Sequence, residues 1–147
     1  MRIVLQRVRR AGVARAAEPE QATTIGRGYV LLVGVAEGDD EGTARRLAAD
    51  VAKVRLMEDD AGKLGRSLKD AGGEVLAVSQ FTLLADFSKG NRPSFHRAAR
   101  PEAVRLLFDL FVRHLGEALG SAVKVGFFGE DMRVELHNDG PVTVVLE

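Results

Sequence analysis

The sequence predicts an α+β fold: a curled, mostly antiparallel, barrel-like β-sheet with two packed helices, in a single domain over residues 1–147. Three observations carry this. Strand-like runs come mostly in pairs and not in strict βαβ alternation. Only two segments repeat apolar residues at helical spacing. A chain of 147 residues matches one domain, and with 46% apolar and 29% charged residues it can bury a core without staples.

The opening run RIVLQRV alternates at period two and is rich in β-branched residues, which predicts a strand. A second short strand is expected over 11–17 and a third over 21–25, with Glu18-Pro19-Glu20 turning between them. Residues 29–36 (YVLLVGVA) are almost wholly apolar, as in a strand covered on both faces. Asp39 or Asp40 can cap a helix in which Ala44, Leu47, Ala48, Val51 and Val54 share one face. Residues 57–73 hold Gly62, Gly65, Gly72 and Gly73 and read as loop. A strand over 74–83 follows, then a polar, basic loop over 85–100. Pro101 suits a first helical turn, Val104, Leu107, Phe108, Phe111, Val112, Leu115 and Leu119 form an apolar stripe, and Gly120 ends it. Strands over 122–128, 132–137 and 142–146 close the chain.

Composition removes several function classes. Without cysteine there is no disulfide, catalytic thiol or thiolate zinc site. His96, His114 and His137 do not pair at ligand spacing, so no metal is expected. No Gly-rich phosphate loop follows a strand, so no nucleotide cofactor is expected, and no GxSxG elbow marks a serine hydrolase. No apolar run reaches the ~18 residues of a membrane span. Residues 1–8 are too short and too charged for a signal peptide, so a cytoplasmic location is expected. The net charge is zero but uneven. Residues 1–17 carry five arginines and no acid, and residues 88–105 are basic again, so the two stretches could converge on phosphate.

Two segments stand apart. Ser79-Gln80-Phe81-Thr82-Leu83 ends an apolar strand in polar groups; a regular pleat would point Ser79 and Phe81 one way and Gln80 and Thr82 the other. Local evidence alone favours a strand running from core to surface, with Ser and Thr capping nearby backbone. Asn138-Asp139-Gly140-Pro141-Val142-Thr143 is strong turn chemistry, which a plain hairpin would explain. Gly140 also lets another molecule approach its backbone closely.

Taken together, SQFTL at 79–83 and NDGPVT at 138–143 resemble the D-aminoacyl-tRNA deacylase family. The resemblance runs nearly end to end, through QRV at 6–8, GGEVLAVSQFTL at 72–83, RPSF at 92–95 and FGEDMRVELHNDGPVT at 128–143. One departure is Leu64-Gly65, where family members often carry Met-Asn. The resemblance implies hydrolysis of the ester joining a D-amino acid to the 3′-terminal adenosine of tRNA. It also implies a homodimer with the active site at the interface and no cofactor. Ser79, Gln80, Phe81 and Thr82 would form the catalytic segment. Gly140 and Pro141, in cis and reaching into the other subunit's pocket, would select chirality. Arg7, Phe128 and Met132 would serve substrate binding, Arg7 by holding the Gly-Pro loop and the other two, with Phe81, by packing around adenine; Arg92 would lie near the entrance. L-amino acids would be refused by a clash, and glycyl-tRNA would be cleaved to some extent. The alternative is a non-catalytic tRNA- or nucleotide-binding module of the same fold.

Overall fold

A computed structural model describes residues 1–147. Eight strands and two long helices follow one another as β1 (Arg2–Arg15), β2 (Thr23–Ile25), β3 (Gly28–Gly34), α1 (Glu41–Lys53), β4 (Met57–Glu58), β5 (Leu64–Arg66), a short α2 (Leu68–Ala71), β6 (Glu74–Ser79), α3 (Pro101–Leu119), β7 (Lys124–Val125) and β8 (Met132–Leu146). The main sheet runs β2-β1-β3-β6-β7, with β8 on the other edge of β1. β1 pairs antiparallel with β2, β3 and β8, whereas β3–β6 and β6–β7 are parallel. The sheet is thus mixed, curled and nearly closed: the Phe127 N–H at the end of one edge donates to Met132 Sδ at the start of the other. No helix is long and apolar enough to cross a membrane.

The pleat of β3 explains its unbroken apolar run. Tyr29, Leu31 and Val33 face a core shared with Leu47 and Val51 of α1 and Phe111 and Leu115 of α3. Val30 faces a second cluster inside the curl, with Val8, Val13, Ile25, Leu76 and Val78. Each fully buried Leu or Phe contributes about 1.5–3 kcal/mol. Burial pushes the Tyr29 phenol up to about 12. Close β3–β6 packing demands glycine at position 28, where a Cβ would stand 1.8 Å from the Glu74 carbonyl oxygen.

Both long helices form as their caps and stripes require. The Asp40 side chain accepts from the Thr43 N–H at the start of α1, and Pro101 opens α3, which Gly120 ends at φ 70°.

Residues 57–73, expected as loop, hold β4, β5 and α2, and the strand expected over 74–83 ends at Ser79; three further sequence expectations need correction. First, β1 is one 14-residue strand, not two. An extra residue near Arg9-Arg10 relative to β8 shifts its parity, so Val8, Ala11 and Val13 share one face while Ile3, Leu5 and Arg7 share the other. Second, residues 132–146 also form one strand, both halves of which pair with β1. NDGPVT is a wide bulge within that strand and not a hairpin turn. Third, the strand expected over 122–128 shrinks to Lys124–Val125, the residues that find a partner in β6.

Candidate active site

β6 ends at Ser79, and the chain then tightens into a 3-10 turn over Phe81–Leu84. The alternation expected across SQFTL therefore stops at its first residue. Gln80 N–H still bonds the Val33 carbonyl at 2.8 Å, which anchors the start of the turn to the sheet. The first N–H groups of such a turn have no partner within it, so those of Phe81 and Thr82 are left for other acceptors. The Thr82 hydroxyl accepts from the Gln80 side-chain amide. An amide is not a base, so this contact does not make the hydroxyl a nucleophile.

Phe81, at the head of this turn, lines a cleft of about 760 Å³, whereas Thr82 does not line it. Ser79, Gln80 and Phe81 line it on one side; Phe128 from the β7–β8 connection and Met132 from the start of β8 line it on the other. The structure thus brings together five of the residues singled out in the sequence. Phe81 is half exposed and meets Phe95 edge-to-face, with centroids 5.0 Å apart. Arg105 lies over the Phe128 ring at 5.5 Å, and Arg15 over Phe127 at 4.0 Å. A cleft with aromatic walls suits a flat ring; its charged lining residues are Glu130, held by Arg15, and Asp131. Phe95 was missed as a cleft residue, although RPSF had drawn notice; its ring comes into place only when the 85–100 loop folds back through the Asp86–Ser94 bridge. Arg92 is exposed on that loop and does not line the cleft.

Gly140 and Pro141 lie elsewhere. They form the exposed tip of the β8 bulge and do not line the cleft of their own chain. The peptide bond between them is cis, and Gly140 holds φ 126°. Beneath the tip, Arg7 is 3% exposed. Its guanidinium donates to the Asp139 carbonyl at 3.2 Å and the Leu56 carbonyl at 2.9 Å, with the Glu58 carboxylate 3.4 Å away. Arg7 therefore anchors the loop from below. The other N-terminal arginines are likewise engaged: Arg2 with Glu147, Arg9 with Asp139, Arg10 with His137 and Arg15 with Glu130. The arginines of the first basic stretch are therefore partnered, by residues in or flanking β8. No group of three or more His, Asp or Glu side chains is placed to hold a metal.

A family model described as D-Tyr-tRNA(Tyr) deacylase matches residues 4–147. The chain belongs to the D-Tyr-tRNA(Tyr) deacylase family. Among the relatives of this deacylase chain, the D-aminoacyl-tRNA deacylase of Thermomicrobium roseum is 52% identical over 147 residues, 100% of this chain and 94% of the relative. That of Chromobacterium violaceum is 50% identical, over 100% of this chain and 97% of the relative. Among solved structures, the deacylase chain is similar to a c-Myc DNA unwinding element binding protein, at 36% identity and TM-score 0.92, covering 100% of this chain and 98% of the other. A probable eukaryotic D-amino acid tRNA deacylase, 17% identical with TM-score 0.85 over 99% and 97% of the two chains, shares the fold.

Proposed function

We propose that this chain is a D-aminoacyl-tRNA deacylase: it hydrolyses the ester between a D-amino acid and the 3′-terminal adenosine of tRNA, releasing both. Family membership over residues 4–147 carries this reading. The cleft supports it, because Phe81, Phe128 and Met132 offer an adenine-sized apolar surface beside the backbone N–H groups that open the Phe81–Leu84 turn.

In this scheme the terminal adenosine enters the cleft with its ester beside Phe81 and Thr82. Ester cleavage builds negative charge on the carbonyl oxygen, and backbone N–H groups aimed there are worth about 2.7–4 kcal/mol per donor. Water is the nucleophile. The tRNA's own 2′-hydroxyl positions it, since the Thr82 hydroxyl faces an amide and no base. Ser79, Gln80 and Thr82 shape the turn; Thr82 forms no covalent intermediate.

Chirality is set by exclusion. Four groups surround the substrate Cα: hydrogen, amine, ester and side chain. With amine and ester held, a rigid carbonyl close to Cα leaves room for hydrogen but not for a methyl group. We place the Gly140 carbonyl there. An L side chain would collide with it, whereas a D side chain would point outward unread. Glycyl-tRNA, having no side chain, would be cleaved. The exposed Gly140-Pro141 tip lies outside the cleft of its own chain, which favours delivery from a second copy: a homodimer whose two sites each combine one chain's turn with the other's bulge. No cofactor enters this scheme, and the reaction suits a cytoplasmic enzyme acting on tRNA.

Incubation with D-tyrosyl-tRNA and L-tyrosyl-tRNA in parallel tests the reading. Loss of label from the D form alone is the expected result. Protection of both forms with saturable binding would instead identify a non-catalytic tRNA-binding module.

A further inference from the structure

Four residues of β8, 139–142, stand opposite the single β1 residue Arg7, because Asn138 pairs with Val8 and Thr143 with Gln6. A bulge of that size takes backbone carbonyls out of the ladder, and they must find other donors. One side chain meets two of them. Asn138 Nδ2 donates to the Arg7 carbonyl at 2.9 Å and to the Val142 carbonyl at 3.1 Å. Its Oδ1 accepts from the Thr143 hydroxyl at 3.4 Å, and that hydroxyl accepts from Gln6 Nε2 at 3.3 Å. Asn138 is half-buried while Gly140 and Pro141 are exposed. A single amide therefore closes the neck of the loop, ties its far side to its near side, and fastens both to β1.

The residue type matters. A carboxamide NH₂ offers two donors in one plane, which two carbonyls can share. An aspartate of the same shape would present only acceptors to the same two oxygens. A serine would offer one donor on a shorter arm.

We propose that Asn138 is a positioning residue for chiral selection: its forked amide fixes the neck of the 139–142 bulge and thereby sets where the Gly140 carbonyl stands. This inference rests on the proposed role of Gly140 as the excluding group and names the side chain that aims it. Asn138 acts through the loop and touches no reacting atom. Exclusion of a methyl group depends steeply on distance, and a displacement of about 1 Å is enough to cost a positioned group most of its effect.

The test is Asn138→Asp, with kcat and KM measured on D-tyrosyl-tRNA and L-tyrosyl-tRNA beside the unaltered protein. The ratio of kcat/KM for D over L is expected to fall about tenfold or more, the factor that one lost hydrogen bond supports. The fall should come from faster cleavage of the L ester, with kcat on the D ester changing less than about threefold. Asn138→Ser, which is neutral, should shift the ratio the same way and serves if the carboxylate prevents folding. In both variants the amides of Asp139, Gly140, Val142 and Thr143 should exchange hydrogen faster while those of 132–137 do not. An unchanged ratio in a folded variant overturns the proposal, as does an equal loss on both esters, which would make Asn138 merely structural. A ratio near one in the unaltered protein overturns the exclusion reading itself, and this inference with it.

Discussion

The Arg7 guanidinium, buried under the β8 bulge, donates to the carbonyl of Asp139, the residue before Gly140, at 3.2 Å. Its other end holds the Leu56 carbonyl at 2.9 Å. Arg7 thereby joins the bulge to the segment that leads into β4. Arg7→Met should cost about 1.5–3 kcal/mol, because the Asp139 and Leu56 carbonyls lose a charged hydrogen-bond donor. Urea unfolding at pH 7 measures this; a loss below about 1 kcal/mol would show that the cluster does not hold the loop. Arg7→Lys should restore little, because one ammonium cannot serve two separated carbonyls as a planar fork does.

Gly140 cannot acquire a side chain without moving. At φ 126° a Cβ would stand 2.8 Å from Val142 Cγ2 and 3.0 Å from the Val142 nitrogen. Gly140→Ala should cost about 1–3 kcal/mol of local strain, absorbed by displacement of the exposed tip. The expected outcome is a folded protein whose preference for D- over L-tyrosyl-tRNA is reduced. An unchanged preference would remove Gly140 from chiral selection.

Thr82 and the substrate's 2′-hydroxyl make opposite predictions. Thr82→Ala should retain activity within about tenfold, as for loss of one neutral hydrogen bond. A substrate ending in 2′-deoxyadenosine should be cleaved about 10²-fold more slowly or worse, the usual weight of a positioned proton-handling group. Single-turnover assays on matched substrates measure both. Abolished activity in a folded Thr82→Ala protein would make Thr82 the nucleophile, and normal rates on the deoxy substrate would refute the role of the 2′-hydroxyl.

Stability should depend on acid through carboxylates that fold into hydrogen bonds. The Gly26 N–H and then Lys124 hold Glu74 below its ordinary value, and the Thr43 N–H does the same for Asp40. Ser88 N–H lowers Asp86, and Arg15 lowers Glu130. A lowered folded-state value means that the stabilisation is complete above the unfolded values of about 4 and is lost as pH falls through the folded ones. The midpoint of thermal unfolding should stay level from pH 7 to about 5 and drop below about 4. Glu74→Gln should flatten that drop; an unaltered acid limb would remove Glu74 from the account.

Much of this was legible locally. The stripe from Val104 to Leu119 and the caps at Asp40 and Gly120 define α3 and α1, because helices are made by neighbours in sequence. The apolar run at 29–36 marked a doubly covered strand for the same reason. The bulge was not legible. NDGPVT carries turn chemistry, and only its pairing with β1, at the far end of the sequence, makes it an interruption within one strand. The short α2 was hidden among glycines, although Ser67 and Gly72 cap it. In the candidate site, Ser79, Gln80, Phe81, Phe128 and Met132 were named from motifs and do meet at one cleft. Asn138 stood inside a quoted motif, but its amide gains meaning only from the two carbonyls that the bulge leaves open.

The central claim is that hydrolysis is refused by collision at one face of the substrate Cα. Initial rates on tRNA charged with D-alanine, L-alanine and glycine test it most directly, since a single methyl group separates the three. The D-alanyl and glycyl esters should be cleaved and the L-alanyl ester should survive. Comparable rates on both alanyl enantiomers, or a spared glycyl ester beside a cleaved D-alanyl one, would contradict it.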